Sequence, residues 1–282
     1  MNAFSNPDPV RVWFDTNIGT SPGAATALLF ALKRPEIEIV GISISGRQQH
    51  QRAEEAQAVL DYAGENEIPI YLGEKVNRTL VDAQQPDATI TTGPLTNIAK
   101  LVLDEATLGS LHILGGAFRT VYYRGTSLNY ELNIAADKDS ARIVLTQYDN
   151  ITLSSFEASS LMMLIGDNLE KIEKKHPFLE SRFEGFRVHL IQKYGEDFAS
   201  IILPEVLCVC DILNVPTITR EIVEFKFQPN GTFLSTTPLD NCPEPIQEQT
   251  DNPDSVPVPT VKHQVIRSTN YQRLIEELVN TL

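Results

Sequence analysis

Short apolar and β-branched runs alternate with longer amphipathic stretches through the first half of the chain. VRVWFD at 10–15 reads as a strand, and GAATALLFALKR at 23–34 as a helix that stops before Pro35. EIEIVGISI at 36–44 has the near-unbroken apolar character of a buried strand, and QRAEEAQAVLDYAG at 51–64 reads as a helix closed by Gly64. The alternation continues with strands at 68–73, 88–93, 110–116 and 150–155 and helices at 95–103 and 136–147. Strands and helices at this spacing predict βαβ crossovers, hence an α/β fold with a mainly parallel open sheet and helices on both faces. Ligands of such sheets sit beyond the carboxyl ends of the strands. That rule points to Asp15, Ser45, Gly93 and Gly115 and the residues just after each.

From about 156 to 213 the pattern turns helical, and it includes the amphipathic run FLESRFEGFRVHLIQKYG. REIVEFKFQ (220–228) and GTFLSTT (231–237), split by Pro229-Asn230-Gly231, predict a small β-hairpin. Residues 238–259 hold six prolines, five acids and no Lys or Arg, a solvated acidic loop. It is not a domain linker, because the strand (HQVIRS) and helix (NYQRLIEELVNTL) after it are too short to fold alone. One domain over 1–282 is therefore expected, with a flexible N-terminal stretch at 1–9 and no internal repeat.

Composition narrows the class of function. With 37 Asp+Glu against 23 Lys+Arg the net charge is −14, so nucleic acid and anionic membrane surfaces are excluded as expected partners. No window approaches the ~18 apolar residues of a membrane span, and MNAFSNPDPVRV lacks the basic and apolar segments of a secretory signal. Cys208, Cys210 and Cys242 are too few for a disulfide framework, and a cytoplasmic protein with reduced thiols is the expectation. Cys208 and Cys210, two residues apart on a helix, face apart and are expected to pack in the core, as is His112 within its strand.

The loop after the first strand, Asp15-Thr16-Asn17-Ile18-Gly19-Thr20-Ser21-Pro22-Gly23-Ala24-Ala25, is polar and opens a helix, yet has neither a phosphate-loop Lys-Ser/Thr pair nor GxGxxG spacing. The rest of the chain gives the loop its meaning. VRVWFDTNIGT, IEIVGISISG, ATITTGPLTNIAKLVL, LHILGGAF and YELNIAADKDSARIVL occur in the order found in the nucleoside hydrolases, the inosine–uridine-type N-ribohydrolases, and the chain resembles that family over nearly its whole length. The resemblance implies a nucleoside-hydrolase-like fold with a Rossmann-like core. It also implies cleavage of a nucleoside's N-glycosidic bond, with calcium holding the ribose hydroxyls and the attacking water while an aspartate takes the water's proton.

Set against the family signature DTDxGxDxDDA, Asp15, Gly19 and Ala25 match. The second Asp, metal ligand and base, is Asn17; the intervening Asp is Ser21; the final Asp-Asp pair is Gly23-Ala24. The family's His-Asp before a Pro-Leu-Ala helix is replaced by Pro204-Glu205-Val206-Leu207-Cys208, so the leaving-group histidine is missing and the last metal Asp is Glu205. By the resemblance, Thr96 stands where a backbone carbonyl reaches calcium. Glu131 and Asn133 match the Glu-x-Asn that holds ribose, and Gly115-Gly116 the turn beside the sugar. Arg47 stands where an asparagine is expected, a long cation in place of an amide.

Calcium takes six to eight oxygens, mostly charged. One unit charge pair at ~4 Å and effective ε ≈ 20 is about 4 kcal/mol before desolvation, so exchanging carboxylates for Asn17 and Ala24 removes orders of magnitude in affinity. Asn17 cannot accept a proton, which removes a general-base contribution of ~10²–10⁴ in rate. No calcium or other cofactor is expected; Asn17, Ala24, Thr96 and Glu205 are vestigial metal positions, and no residue stands as an assigned catalyst. The candidate bases of an altered mechanism are Glu131 and Glu205, and the candidate ligand contacts are Asp15, Asn17, Arg47, Gly115, Gly116, Glu131 and Asn133. Some have a plainer reading: Asp15 accepting loop N–H groups, Glu131 a relic or a salt-bridged loop residue, Arg47 pointing to solvent.

Three functions are compatible with this reading. The favoured one is a protein of this fold that has lost calcium-dependent cleavage and binds a ribosyl or nucleoside-like ligand. The second is a hydrolase with altered, metal-free chemistry at Glu131 or Glu205, and the third is a structural partner whose pocket is filled by side chains. A homo-oligomer is expected by resemblance only.

Overall fold

The computed structural model describes residues 8–123, 126–128, 130–195, 200–228, 231, 233–235 and 259–282. Residues 1–7, the Pro229-Asn230 turn, Cys242 and the acidic segment 238–258 lie outside the described residues.

The chain alternates as the apolar pattern predicts: β1 (Val10–Thr16), α1 (Pro22–Leu32), β2 (Ile37–Ile44), α2 (Gln49–Ala63), β3 (Ile70–Leu72), α3 (Arg78–Gln84), β4 (Ala88–Thr91), α4 (Thr96–Leu103) and β5 (Ser110–Leu114). A short hairpin of β6 (Val121–Tyr123) and β7 (Thr126–Leu128) precedes α5 (Leu132–Ala136), α6 (Lys138–Gln147) and β8 (Ile151–Ser154). Beyond them lie α7 (Phe156–Ser159), β9 (Met163–Ile165), α8 (Gly166–Lys175), α9 (Pro177–Tyr194), β10 (Ser200–Ile202), α10 (Val206–Ile212), β11 (Thr219–Phe227), β12 (Phe233–Ser235), β13 (Thr260–Ser268) and α11 (Tyr271–Thr281).

Among the described residues the main sheet has nine strands in the order β12-β11-β13-β8-β5-β4-β1-β2-β3. It is parallel from β13 through β3, and the β11–β12 hairpin is attached antiparallel to β13. Strand β1 shows why its centre, residues 12–14, is apolar without a break. Val12 and Phe14 point into one buried cluster, with α1, α2 and α10, while Trp13 points into the other, with α4 and α6. Trp13 lies on Gly41, where any Cβ would stand 2.6 Å from its ring, and the β1–β2 register shifts at that place.

The 156–213 stretch is not wholly helical. β9 and β10 pair antiparallel within it, three residues each, too short for a period-two pattern to emerge beside helices. No helix among the described residues is long and apolar enough to cross a membrane.

Candidate functional site

Asp15, at the carboxyl end of β1, is fully buried and surrounded by donors. Ser43 Oγ donates to its Oδ1 at 2.6 Å, Asn97 Nδ2 to the same oxygen at 2.7 Å, and Thr91 Oγ1 to Oδ2 at 3.2 Å. Trp13 Nε1 donates to Ser43 Oγ at 2.9 Å, and Asn97 also donates to the Ile44 carbonyl, so the acid ties β1 to β2, β4 and α4. Burial raises its pKa to about 6, against these hydrogen bonds. It does not line the cavity beyond the strand ends; its acceptors are spent on the scaffold. The donors are side chains rather than the loop N–H groups expected from the sequence.

That cavity has a volume of about 300 Å³. Its polar side is formed by Asn17 and Ser21 from the β1–α1 loop, Glu131 and Asn133 at the start of α5, and Glu205 at the start of α10. Glu131 is the N-cap of α5, with Oε1 accepting from the Asn133 N–H and Oε2 from the Ile134 N–H, each at 3.0 Å. It is a capping residue rather than a salt-bridged one. Asn133 Nδ2 donates to the carbonyls of Thr92 (3.2 Å) and Leu114 (3.1 Å), fixing the amide across the ends of β4 and β5. Its Oδ1 stands 3.5 Å from Asn17 Nδ2.

The opposite wall is α9, a contribution the apolar pattern does not reveal. Phe186, His189, Leu190 and Lys193 recur at helical spacing and face the cavity together. Their one signal in the sequence is that spacing inside an amphipathic run, which reads equally as a core-facing stripe.

Glu205 is buried, accepts from Ser21 Oγ at 3.2 Å through Oε1, and among the described residues has no partner for Oε2. Its carboxyl lies against Gly23: a Cβ at residue 23 would collide with Oε2 and stand 2.7 Å from Cδ. Burial raises Glu205 to about 7. Glu131 is also raised to about 7, by burial first and by the nearby Glu205 charge, with the α5 N–H groups acting the other way.

The other predicted site residues are dispersed. Arg47 is exposed, as its plainer reading had it. Thr96 is exposed, its hydroxyl donates to Asp137 at 2.6 Å, and it lies outside the cavity; the carbonyls that approach Asn133 are those of Thr92 and Leu114. Ala24 is buried in α1 and brings no oxygen. Gly115 and Gly116 support the site from behind: Gly115 packs on Ile134, and Gly116, at φ +92°, accepts from the Phe156 N–H and lies under Phe233. Cys208 and Cys210 are buried, with thiol pKa values raised by burial. His112, only partly packed, bonds Asp211 at 2.5 Å through Nδ1.

Of the vestigial positions only Asn17 and Glu205 reach the cavity, while the oxygens of Asp15 and Glu131 are taken by protein donors. Among the described residues no three His, Cys, Asp or Glu side chains converge on one point.

A sequence model of the inosine-uridine preferring nucleoside hydrolases matches residues 75–237. The pyrimidine-specific ribonucleoside hydrolase RihA of Photobacterium profundum is 28% identical over 110 residues, which is 38% of this chain and 34% of that protein. The match thus spans about a third of that curated relative's length. The plant nucleoside hydrolase PpNRh1 superposes with a TM-score of 0.73 at 19% identity, over 97% of this chain and 98% of its own. The purine-preferring ribonucleoside hydrolase from Gardnerella vaginalis does so at 0.72 and 17% identity, over 96% and 97%. At such identities the superpositions establish the fold: an α/β fold with a mostly parallel sheet.

Proposed function

This chain belongs to the inosine-uridine preferring nucleoside hydrolase family, and from that premise we propose that it binds a ribosyl or nucleoside-like molecule at the strand ends without calcium-dependent N-glycosidic cleavage. The observation that carries the reading is the contrast within one cavity. The Glu131–Asn133 pair is held in place by the backbone, while the residues that would hold calcium are an amide, an alanine and a glutamate lying on Gly23. A volume of about 300 Å³ with one hydrogen-bonding side and one aromatic-aliphatic wall suits a sugar joined to a flat ring. An open cavity also argues against a site plugged by its own side chains.

Asn17 cannot take a proton from water, so the step assigned to an aspartate in the family has no counterpart at that position. A second reading has a specific observation behind it. Glu131 and Glu205 face one cavity and burial raises both to about 7, which would let one serve as acid and the other as base in metal-free hydrolysis.

Titration calorimetry with inosine, uridine, adenosine and cytidine, paired with chromatography for released base, tests both readings with added calcium and with chelator. Saturable binding without base release supports the first. Release that ignores chelator supports the second. Release abolished by chelator, or no binding of any member of the panel, overturns the first reading.

A further inference from the structure

Arg52, in the first turn of α2, sends its guanidinium back over the start of its own helix into two loops at once. Nε donates to the Arg47 carbonyl at 2.6 Å, and Nη1 donates to the Ile18 carbonyl at 2.7 Å, to Thr20 Oγ1 at 2.8 Å and to the Asn17 carbonyl. These oxygens belong to the β1–α1 loop and the β2–α2 loop, which meet beside the cavity. Thr20 Oγ1 also donates to the Asn17 carbonyl at 3.1 Å, and Gly19 between them adopts φ +91°. The loop is therefore curled around one cation.

No carboxylate lies within ion-pair distance of Arg52 among the described residues; Glu55, the acid three residues further along the helix, is paired with Arg182 at 2.5 Å. Burial lowers its pKa, but an arginine stays charged. A half-buried cation whose N–H groups are accepted only by carbonyl and hydroxyl oxygens stabilises whatever conformation brings those oxygens together. Resting on the ligand-binding reading, we propose that Arg52 is the positioning residue of the cavity: an internal guanidinium that gathers the loop oxygens and so sets Asn17 opposite Asn133 without a metal ion. Arg52 does not touch the ligand; it acts through Asn17, whose amide lines the cavity while its carbonyl is held from behind. Lysine cannot replace it, since one ammonium cannot present the two separated nitrogens that reach the two loops.

The experiment pairs amide hydrogen exchange at residues 18–21 with inosine titration for the wild type, Arg52→Ala and Arg52→Lys. In Arg52→Ala, exchange at 18–21 should rise while amides of β1 and β4 keep their protection, and inosine affinity should fall about tenfold, the effect of losing charged hydrogen bonds. Millimolar methylguanidinium should return part of both, and Arg52→Lys should resemble Arg52→Ala. Unchanged exchange at 18–21, a uniform rise through β1 and β4, or wild-type protection that increases on adding calcium each overturns the proposal. If Arg52→Ala does not fold, Arg52→Lys supplies the same readouts. A wild type that binds no nucleoside overturns the ligand reading alone, because loop exchange still decides the role of Arg52.

Discussion

The Glu205 carboxyl occupies the space that a side chain at Gly23 would fill, its Cδ only 2.7 Å from the position of a Cβ there and its Oε2 closer still. The two replacements therefore form one arrangement. Gly23→Ala alone should cost about 1–3 kcal/mol, because the carboxyl must leave a packed site. In Glu205→Ala the same change should cost nothing or stabilise by up to about 1 kcal/mol, since alanine is the better helix residue. A double-mutant cycle by urea denaturation reads the coupling, and additive effects would refute it.

Asp15 gives a pH signature. Its ordinary pKa of 3.8 is raised to about 6 in the folded chain, so between those values the folded state keeps a proton that the unfolded state has lost. This contribution to stability is complete below the lower value and is lost as pH rises through the upper one, on the order of 3 kcal/mol in all. Glu131 and Glu205 act in the same direction up to about 7. Asp15→Asn should flatten the fall over the Asp15 window and leave the rest; an unchanged slope in pH-resolved denaturation would contradict this.

Glu131→Gln keeps one acceptor where two N–H groups need accepting, so the α5 cap should weaken by about 1 kcal/mol. Asn133 sits in the first turn inside that cap. Inosine affinity should therefore fall along with denaturation midpoint, and a variant with full affinity would show that the cap does not set the amide.

Asp211 is buried and bonds both His112 Nδ1 and Arg220 Nε at 2.5 Å. Asp211 does not line the cavity, Asp211→Ala strands a half-buried arginine, and a loss of about 3–5 kcal/mol is expected by thermal or chemical unfolding. A loss below about 1 kcal/mol would mean that water takes over the role of the acid.

The parallel sheet is legible because strands covered on both faces are apolar almost without interruption, as Val12, Trp13 and Phe14 are. β9 and β10 are hidden by brevity, and β6–β7 by sitting between two stronger signals. At the site, Asn17, Glu131, Asn133 and Glu205 stand out in local motifs and do meet in one cavity. What escapes are pairings between distant stretches. Nothing near Gly23 announces Glu205, nothing near Asp15 announces Thr91, and the exposed Arg47 draws notice while Arg52, in the first turn of α2, reaches the loop. Thr96 is placed by motif alone, and its hydroxyl serves Asp137 instead.

Among the described residues, strand β13 is the bridge through which the β11–β12 hairpin joins the rest of the sheet, since β11 pairs with β12 and β13, and β13 with β8. During synthesis the parallel strands from β1 to β5 find their neighbours among strands translated by the time β8 is complete, while one edge of β8 stays open for β13. The hairpin emerges with its docking partner still to be translated, and must wait with an unpaired edge until residues 260–268 arrive. A chaperone that shields nascent strand edges would therefore engage this chain late, at the hairpin and at the β8 edge that await the same strand.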